Sequence, residues 1–449
     1  MLSAFTGLGG LDLGLEKAGF QTIACIEVSP DARRSIVLNR SAWNLLEWAD
    51  IDSAAAHLTP SHLGLRRGEL SVLAGGPPCQ PFSKAAQWST KGRNGLRDPR
   101  ARCLNAFLKL IERFLPRVVL IENVPGFVRG STSALQRINA ALRRINRLYS
   151  TRYRLEYRVL NSADHGVPQR RQRAILIARR DGKSAPWPAP THVLKPVRAY
   201  DALRNVKAIE LPKPRGYWSG LLPSIPEGMN YLYHTRAGGG IELFGERRRY
   251  WSFLLKLAQD KPAWTIPAQP GPSTGPFHWN NRPLALEELL RLQTFPVGWH
   301  VGGGRTAQVR QVGNATPPLL AEVIGRSLGR AVFGIKYDCS PRLRIPRSRG
   351  KPVMTQTRQV PTRYLQHEGQ HDPHPGEGDG PGSSRQAGGR PAQKIASDAQ
   401  HGRQKVSQSS DAPVLRARRA PNPQSVEQHV WRRPAPRTPR RGKPSSRAA

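Results

Sequence analysis

Four short, wholly apolar runs, each halted near a glycine or a charged residue, constrain this chain most. Ile23–Ile26 stops at Glu27, Val72–Ala74 at Gly75-Gly76, Val118–Ile121 at Glu122, and Ala174–Ile177 near Arg179. Runs this short, β-rich and apolar on both faces are what strands buried in a parallel sheet look like. Helical patterns lie between them. Leu11, Leu15 and Ala18 share a face closed by Gly19, and Leu104, Leu108 and Ile111 share another before Pro116. Strand–helix alternation predicts an open α/β sheet over residues 1–180.

The texture then changes. From about Asp181 to Gly275, Pro, Trp, Tyr, Gly and Arg dominate with weak periodicity, which predicts a loop-rich second domain. Helical pattern returns at Pro283–Leu292, where the early proline suits a helix start, and again from Pro318 to about Phe333. Residues 276–335 are therefore expected to complete the first domain. Beyond Cys339 the chain is rich in Pro, Gly, Ser, Gln and Arg. Residues 339–449 are expected to form a disordered basic tail, too poor in apolar surface to offset ordering entropy.

Charge narrows the partner. The net charge is +39, from 70 Lys+Arg against 31 Asp+Glu, and only 22 of those cations against 7 acids fall in the tail. The excess outside the tail still favours a polyanion, through release of counterions from phosphates. The absence of an apolar run of about 18 residues argues against a membrane span. The start Met1-Leu2-Ser3-Ala4-Phe5 lacks a signal-peptide pattern. Cys25, Cys79, Cys103 and Cys339 show no CxxC or Cys/His spacing, so no metal site is expected and a reducing, cytoplasmic location is.

Two constellations carry chemistry. Phe5-Thr6-Gly7-Leu8-Gly9-Gly10 follows a very short strand and opens a helix, where glycines permit a tight turn and close approach to a ligand. Glu27 ends the next strand, the place for a carboxylate that takes hydrogen bonds from ribose hydroxyls. Asp50-Ile51 is read as the end of a third strand, with the carboxylate on an adenine amine and Ile51 on the ring. The second constellation is Gly75-Gly76-Pro77-Pro78-Cys79-Gln80-Pro81-Phe82-Ser83 at a sheet edge. Prolines on both sides stiffen the loop and aim the thiol, which makes Cys79 a nucleophile candidate.

This segment resembles the catalytic loop of the DNA cytosine-C5 methyltransferase family, and other blocks follow in that family's order. These are Glu122-Asn123-Val124-Pro125-Gly126, Gln169-Arg170-Arg171-Gln172-Arg173, Arg282-Pro283-Leu284 through Leu292-Gln293-Thr294-Phe295-Pro296, and Gln311-Val312-Gly313-Asn314-Ala315-Thr316-Pro317-Pro318. With the glycine turn as the first block, the resemblance covers about Leu2 to Gly329. It implies a Rossmann-like methyltransferase sheet, S-adenosylmethionine as cofactor and double-stranded DNA as substrate. It implies that the Cys79 thiolate attacks C6 of a flipped cytosine, giving an enamine that takes the methyl group from the sulfonium. Glu122 would pair with N3 and the amino group, carrying or sharing a proton. Arg171 first, then Arg173, would orient the base and the cysteine loop. The cofactor would be held by Phe5, Thr6, Gly7, Leu8, Gly9, Gly10, Glu27, Val28, Asp50, Ile51, Gly76, Pro78, Asn314 and Thr316.

Residues 88–97, with two glycines, read as a lid over DNA. Trp218, Tyr231, His234, Arg236 and Arg247 to Arg249 are candidate contacts for target recognition, with hydrophobic packing or phosphate binding as an equal alternative for each. The resemblance also implies a monomer, with a cognate restriction endonuclease acting separately. Departures are Ser3, Ala101 and Cys103, the short lead into the first strand, and a tail without counterpart. An RNA cytosine methyltransferase and a DNA-binding relative without catalysis stay open as alternatives, although no Cys-Phe-Thr marker is present.

Overall fold

The computed structural model describes residues 1–78, 102–129, 133–244, 251–339, 341, 348, 350 and 352–369. Cys79, the lid stretch, Ala101 and Arg247 to Arg249 lie outside them. All described residues fall within one compact unit, Met1–Gly389.

Six strands form the central sheet: β1 (Leu2–Ala4), β2 (Ala24–Ile26), β3 (Val72–Gly75), β4 (Val118–Asn123), β5 (Arg154–Asn161) and β6 (Gln172–Arg179). Their order is β2-β1-β3-β4-β6-β5. The first four run parallel, whereas β6 runs antiparallel between β4 and β5. The apolar runs read as parallel strands are thus correct in place, and β6 differs in direction. Its residues look parallel-type because both of its faces are covered. Successive side chains alternate between faces. Leu73, Val119, Ile121, Ala174 and Leu176 join one core. Val72, Ala74, Val118, Leu120, Ile175 and Ile177 join the other.

Helices cover both faces. The first core is closed by α4 (Arg102–Phe114), which buries Leu104, Phe107, Leu108, Ile111 and Phe114 at helical spacing, and by α5 (Leu135–Tyr149) through Ile138, Leu142 and Ile145. The second is closed by α1 (Gly10–Lys17) and α9 (Pro318–Phe333), the latter with proline in its first turn and Gly334 left-handed at its end. These two helices cross closely because small residues meet. A side chain on Gly14 would strike the Pro318 carbonyl at 2.2 Å and Ala321 Cβ at 2.4 Å. The segment from Thr316 through α9 therefore returns to the glycine turn, packing on α1.

Three readings change. Asp50 does not end a strand: it caps α3 (Ile51–His57), accepting from the amides of Asp52 and Ser53, and the strand-like contact falls on Leu45, bridged to Cys25. Pro283 does not start a helix; it pairs with Phe277 in a two-residue ladder of β7 (Phe277–His278) and β8 (Arg282–Pro283), and α7 (Leu286–Leu292) follows. A further helix, α8 (Arg305–Asn314), precedes α9.

Near the start of the chain, α2 (Pro30–Asn39) packs its Ile36 on Cys25 of the edge strand β2. The middle of the chain holds α6 (Ala199–Leu203) and two short 3-10 stretches. Its core is aromatic: Trp218, Tyr231, Phe244, Phe253 and Phe277 cluster there, joined by Tyr364. Tyr364 lies on α10 (Thr362–Leu365), inside the stretch expected to be disordered. It is fully buried, stacks on Trp218 at 5.6 Å and donates to the Tyr217 carbonyl at 2.6 Å. Residues 352–369 thus pack on the aromatic core, because Val360 and Tyr364 supply apolar surface that the following sequence lacks.

Candidate active site

Glu122 is the last acidic residue of a buried strand, and β4 brings it to the carboxyl edge of the sheet, where open α/β folds place ligands. It is 7% exposed. In the β4–β6 register it faces Ile175, so Arg173 is its diagonal neighbour on the same face. Arg173 Nε lies 2.9 Å from Glu122 Oε1. The contact is off the N–H axis: Oε1 is buried and has no hydrogen-bond partner among the described residues. The arginine therefore neutralises the carboxylate while leaving Oε1 able to bond another group.

The stem of the cysteine loop is fixed at the same place. Asn123 Nδ2 donates to the Pro77 carbonyl at 2.9 Å, and its Oδ1 accepts from the Val124 amide. Gly76 passes the carboxylate so closely that a side chain there would meet Glu122 Oε2 at 3.5 Å. Pro78 is the last described residue before Cys79.

Arg171 sits differently. It is wholly buried, and its Nη2 donates to the carbonyls of Gly313 at 2.7 Å and Ala315 at 3.0 Å, which flank Asn314. Its own carbonyl accepts from Ser162. Arg173, ranked second from sequence, is thus the arginine beside Glu122, and Arg171 pins the turn that carries Asn314. Two glutamines extend this brace. Gln169 Nε2 donates to Gln293 Oε1 at 3.1 Å, and Gln293 Nε2 donates to the carbonyls of Val312 and Ala315. Both are fully buried. Sequence reasoning quoted these glutamines without giving them a role. Their only signal was an amide side chain inside an apolar or basic block, and Gln172, exposed in the same block as Gln169, carries the same signal.

The glycine turn builds the other half. Phe5, Gly7 and Gly9 all have positive φ. At Gly7 an added side chain would meet only the Phe5 carbonyl, at 3.8 Å, so the backbone lies open there. Glu27, buried at the end of β2, accepts the Gly7 amide through Oε2 and the Ser29 amide through Oε1, both at 2.7 Å. Each oxygen keeps a lone pair for a ribose hydroxyl. Thr6 holds Ser3 at 2.9 Å between the hydroxyls, so the serine found where an aspartate is common is used inside the turn. Leu8 is buried in the core that contains α7 and α8, whereas Gly10 touches the Thr316 carbonyl: a side chain there would meet it at 2.2 Å. Asn314 is exposed and Thr316 buried at this junction. Val28 is 64% exposed. Both cap bonds of Asp50 end on Oδ2, leaving Oδ1 outside them. Ile51 is buried in the core beneath. The structure thus brings Phe5–Gly10, Glu27 and Thr316 into contact, with Asn314 in the turn that leads to Thr316, and places Glu122, Arg173 and Gly76 together. An open glycine turn with a buried, backbone-held carboxylate beside it fits a nucleoside-containing cofactor. Among the described residues no cluster of metal ligands occurs.

In the middle segment, Trp218 and Tyr231 are buried in the aromatic core, and His234 is buried beside it with its ring nitrogens held by Ser224 Oγ and the Ile241 carbonyl. They are not contacts for target recognition, because their faces are spent on packing. Arg236 is exposed. No helix among the described residues is long and apolar enough to cross a membrane.

The fold and this site define a Rossmann-like methyltransferase. A family model for C-5 cytosine-specific DNA methylases matches residues 1–330. The type II methyltransferase M.SacI of Streptomyces achromogenes is 32% identical, over 73% of this chain and 92% of that protein. M.Sau96I of Staphylococcus aureus is 31% identical, over 73% of this chain and 75% of the relative. Among solved structures, a DNA modification methyltransferase encoded within an Escherichia coli prophage aligns with a TM-score of 0.52 at 21% identity, over 74% of this chain and 99% of that one. The chain belongs to the C-5 cytosine-specific DNA methylases, and its activity is that of a DNA cytosine-C5 methyltransferase.

Proposed function

We propose that this enzyme methylates one cytosine of a specific duplex sequence, using S-adenosylmethionine, and serves as the modification half of a restriction-modification system. The observation that carries the chemistry is the meeting of three elements: the Glu122 carboxylate, Arg173 at 2.9 Å, and the Gly76–Pro78 stem pinned by Asn123. Cys79 follows that stem directly. C5 of cytosine is a poor nucleophile, so the ring must first gain electron density. The Cys79 thiolate forms a bond to C6 while Glu122, entering in its protonated form, passes that proton to N3, Arg173 holding the carboxylate left behind, and C5 becomes enamine-like. A solvent base later takes the C5 proton, the C–H electron pair re-forms the C5–C6 double bond and expels the Cys79 thiolate, and N3 returns its proton to Glu122. The base must leave the duplex for this contact. When bound, S-adenosylmethionine supplies an electrophilic methyl group on a sulfonium.

The residues suited to hold that cofactor are Phe5 to Gly10, Glu27 with Val28, Asp50, Gly76, Pro78, Asn314 and Thr316. Ile51, buried beneath Asp50, supports the wall from behind. The enzyme acts as a cytoplasmic monomer, apart from any cognate endonuclease, and reads its target through the segment between residues 181 and 275.

The test expresses the chain and its Cys79→Ser variant in a host free of methylcytosine and maps host DNA by bisulfite sequencing. A recurring methylated sequence in the wild type, absent from the variant, is expected. Identical maps would overturn the reading, and methylation confined to RNA would redirect it.

A further inference from the structure

Arg170 stands between the two residues that brace the site, yet serves neither. Its backbone is locked on both sides: its amide donates to the Ala263 carbonyl at 2.7 Å, and its carbonyl accepts from Thr265 Oγ1 at 2.7 Å. Gln169 makes a parallel bridge to Ala263, so residues 168–170 and 263–266 form a short zipped ladder. The side chain, in contrast, is exposed. Its guanidinium lies over the Trp264 ring, 5.3 Å from the centroid. Trp264 meets Trp251 edge-on at 4.5 Å, and Trp251 is 47% exposed, with its carbonyl held by Asn230 Nδ2 at 2.6 Å. The contact of the Arg170 guanidinium among the described residues is the Trp264 ring face.

An arginine held by an aromatic face, with its full charge outward, suits a phosphate, and a half-exposed tryptophan beside it suits a base or sugar face. Its position is equally specific. Arg173, three residues along the same segment, contacts Glu122. A base reaching Glu122 therefore brings its own backbone to the start of β6, where Arg170 stands.

The geometry points to Arg170, Trp264 and Trp251 as a platform for the strand that bears the flipped cytosine, with Arg170 on a phosphate and Trp251 against the neighbouring nucleotide. This deepens the proposed function and rests on DNA being the substrate. The platform acts in binding and positioning; no reacting atom touches it.

The experiment uses the full chain, unmethylated bacterial genomic DNA for steady-state methylation, and a labelled duplex of mixed sequence for salt-dependent binding. Arg170→Ala is expected to raise KM for DNA about tenfold with kcat little changed, and to lower the slope of log Kd against log salt by about one. Arg170→Lys should restore the slope, because the charge returns. Trp251→Ala, at an exposed position that tolerates truncation, should raise KM about tenfold without changing the slope. Wild-type KM and slope in both Arg170→Ala and Trp251→Ala would overturn the inference. A wild-type protein that methylates no DNA would instead overturn the function, and the duplex slope would still judge the platform.

Discussion

Arg173 Nε lies 2.9 Å from Glu122 Oε1 because the β4–β6 register sets the two residues diagonally across paired strands. A charge pair built into a sheet ladder cannot drift as a loop pair can, so the carboxyl is held where a base must dock. Glu122→Gln keeps the shape and removes the proton donor. It is expected to lower kcat by about 10²- to 10⁴-fold while leaving cofactor affinity unchanged in calorimetric titration. A loss below about tenfold would show that Glu122 is not the ring's proton partner.

Gly10 and Gly64 separate two reasons for a glycine. At Gly10 an added Cβ would strike the Thr316 carbonyl at 2.2 Å and Phe295 Cζ at 3.1 Å, whereas Gly64 has a positive φ of 65° and open space around it. Gly10→Ala must push the α1 end away from the turn bearing Asn314 and should cost about 3 kcal/mol together with cofactor affinity. Gly64→Ala should cost about 1 kcal/mol and leave binding intact. Denaturant midpoints and cofactor titrations check both. Equal losses in the two variants would mean that the α1 contact does not shape the junction of the glycine turn with Thr316.

Much of this was legible in the sequence, for physical reasons. Strands buried on both faces, the Leu11–Leu15–Ala18 face and the Pro318–Phe333 helix carry unbroken apolar patterns, and each lies where it was read. β5 was not legible: it is an edge strand with most positions partly or fully exposed, so its sequence RLEYRVLN alternates only weakly. α8 was missed because its ten residues hold few apolar side chains. Asp50 misled because a strand-end acid and a helix cap look alike until the following alanines are weighed. Within the site, residue types were readable but partners were not. Arg171 and Arg173 differ only in which strand or turn they meet, and no local pattern carries that. For Trp218, Tyr231 and His234 the choice between target contact and packing was not legible, because the aromatic core beside which they are buried is assembled from distant segments.

His278 gives the fold a pH dependence. Its Nδ1 accepts from the Asn280 amide at 3.0 Å, so the remaining ring proton sits on Nε2, 3.6 Å from Glu288. Burial pushes its pKa down to about 4, against the pull of Glu288. The unfolded chain therefore binds more protons than the folded one between pH 4 and the ordinary histidine value. Stability is complete above that ordinary value and falls as pH drops toward 4, by about 3 kcal/mol from this residue. His278→Gln should lose correspondingly less across the same window. Parallel denaturant midpoints for the two proteins at each pH would remove His278 from the account.

Tyr364 ties residues 352–369 to the aromatic core, and the tie is distributed. Thr355 donates its amide to Glu227 Oε1 at 2.7 Å, Arg358 donates to the Pro223 carbonyl, and the Gly369 amide reaches the Glu242 carbonyl at 3.1 Å. Tyr364 itself fills the space between Tyr217 and Trp218. Tyr364→Ala would leave a cavity beneath Trp218 and an unmatched carbonyl on Tyr217, costing about 3 to 5 kcal/mol. None of these contacts involves β1–β4, so the loss should fall on the aromatic segment. We expect raised KM for DNA and faster proteolysis within residues 181–275, with cofactor affinity unchanged. Tyr364→Phe keeps the ring and loses only the hydroxyl bond, so it should cost about 1 kcal/mol. If Tyr364→Ala instead weakened cofactor binding as much as DNA binding, the strap would be supporting the whole unit rather than the aromatic core on which it lies.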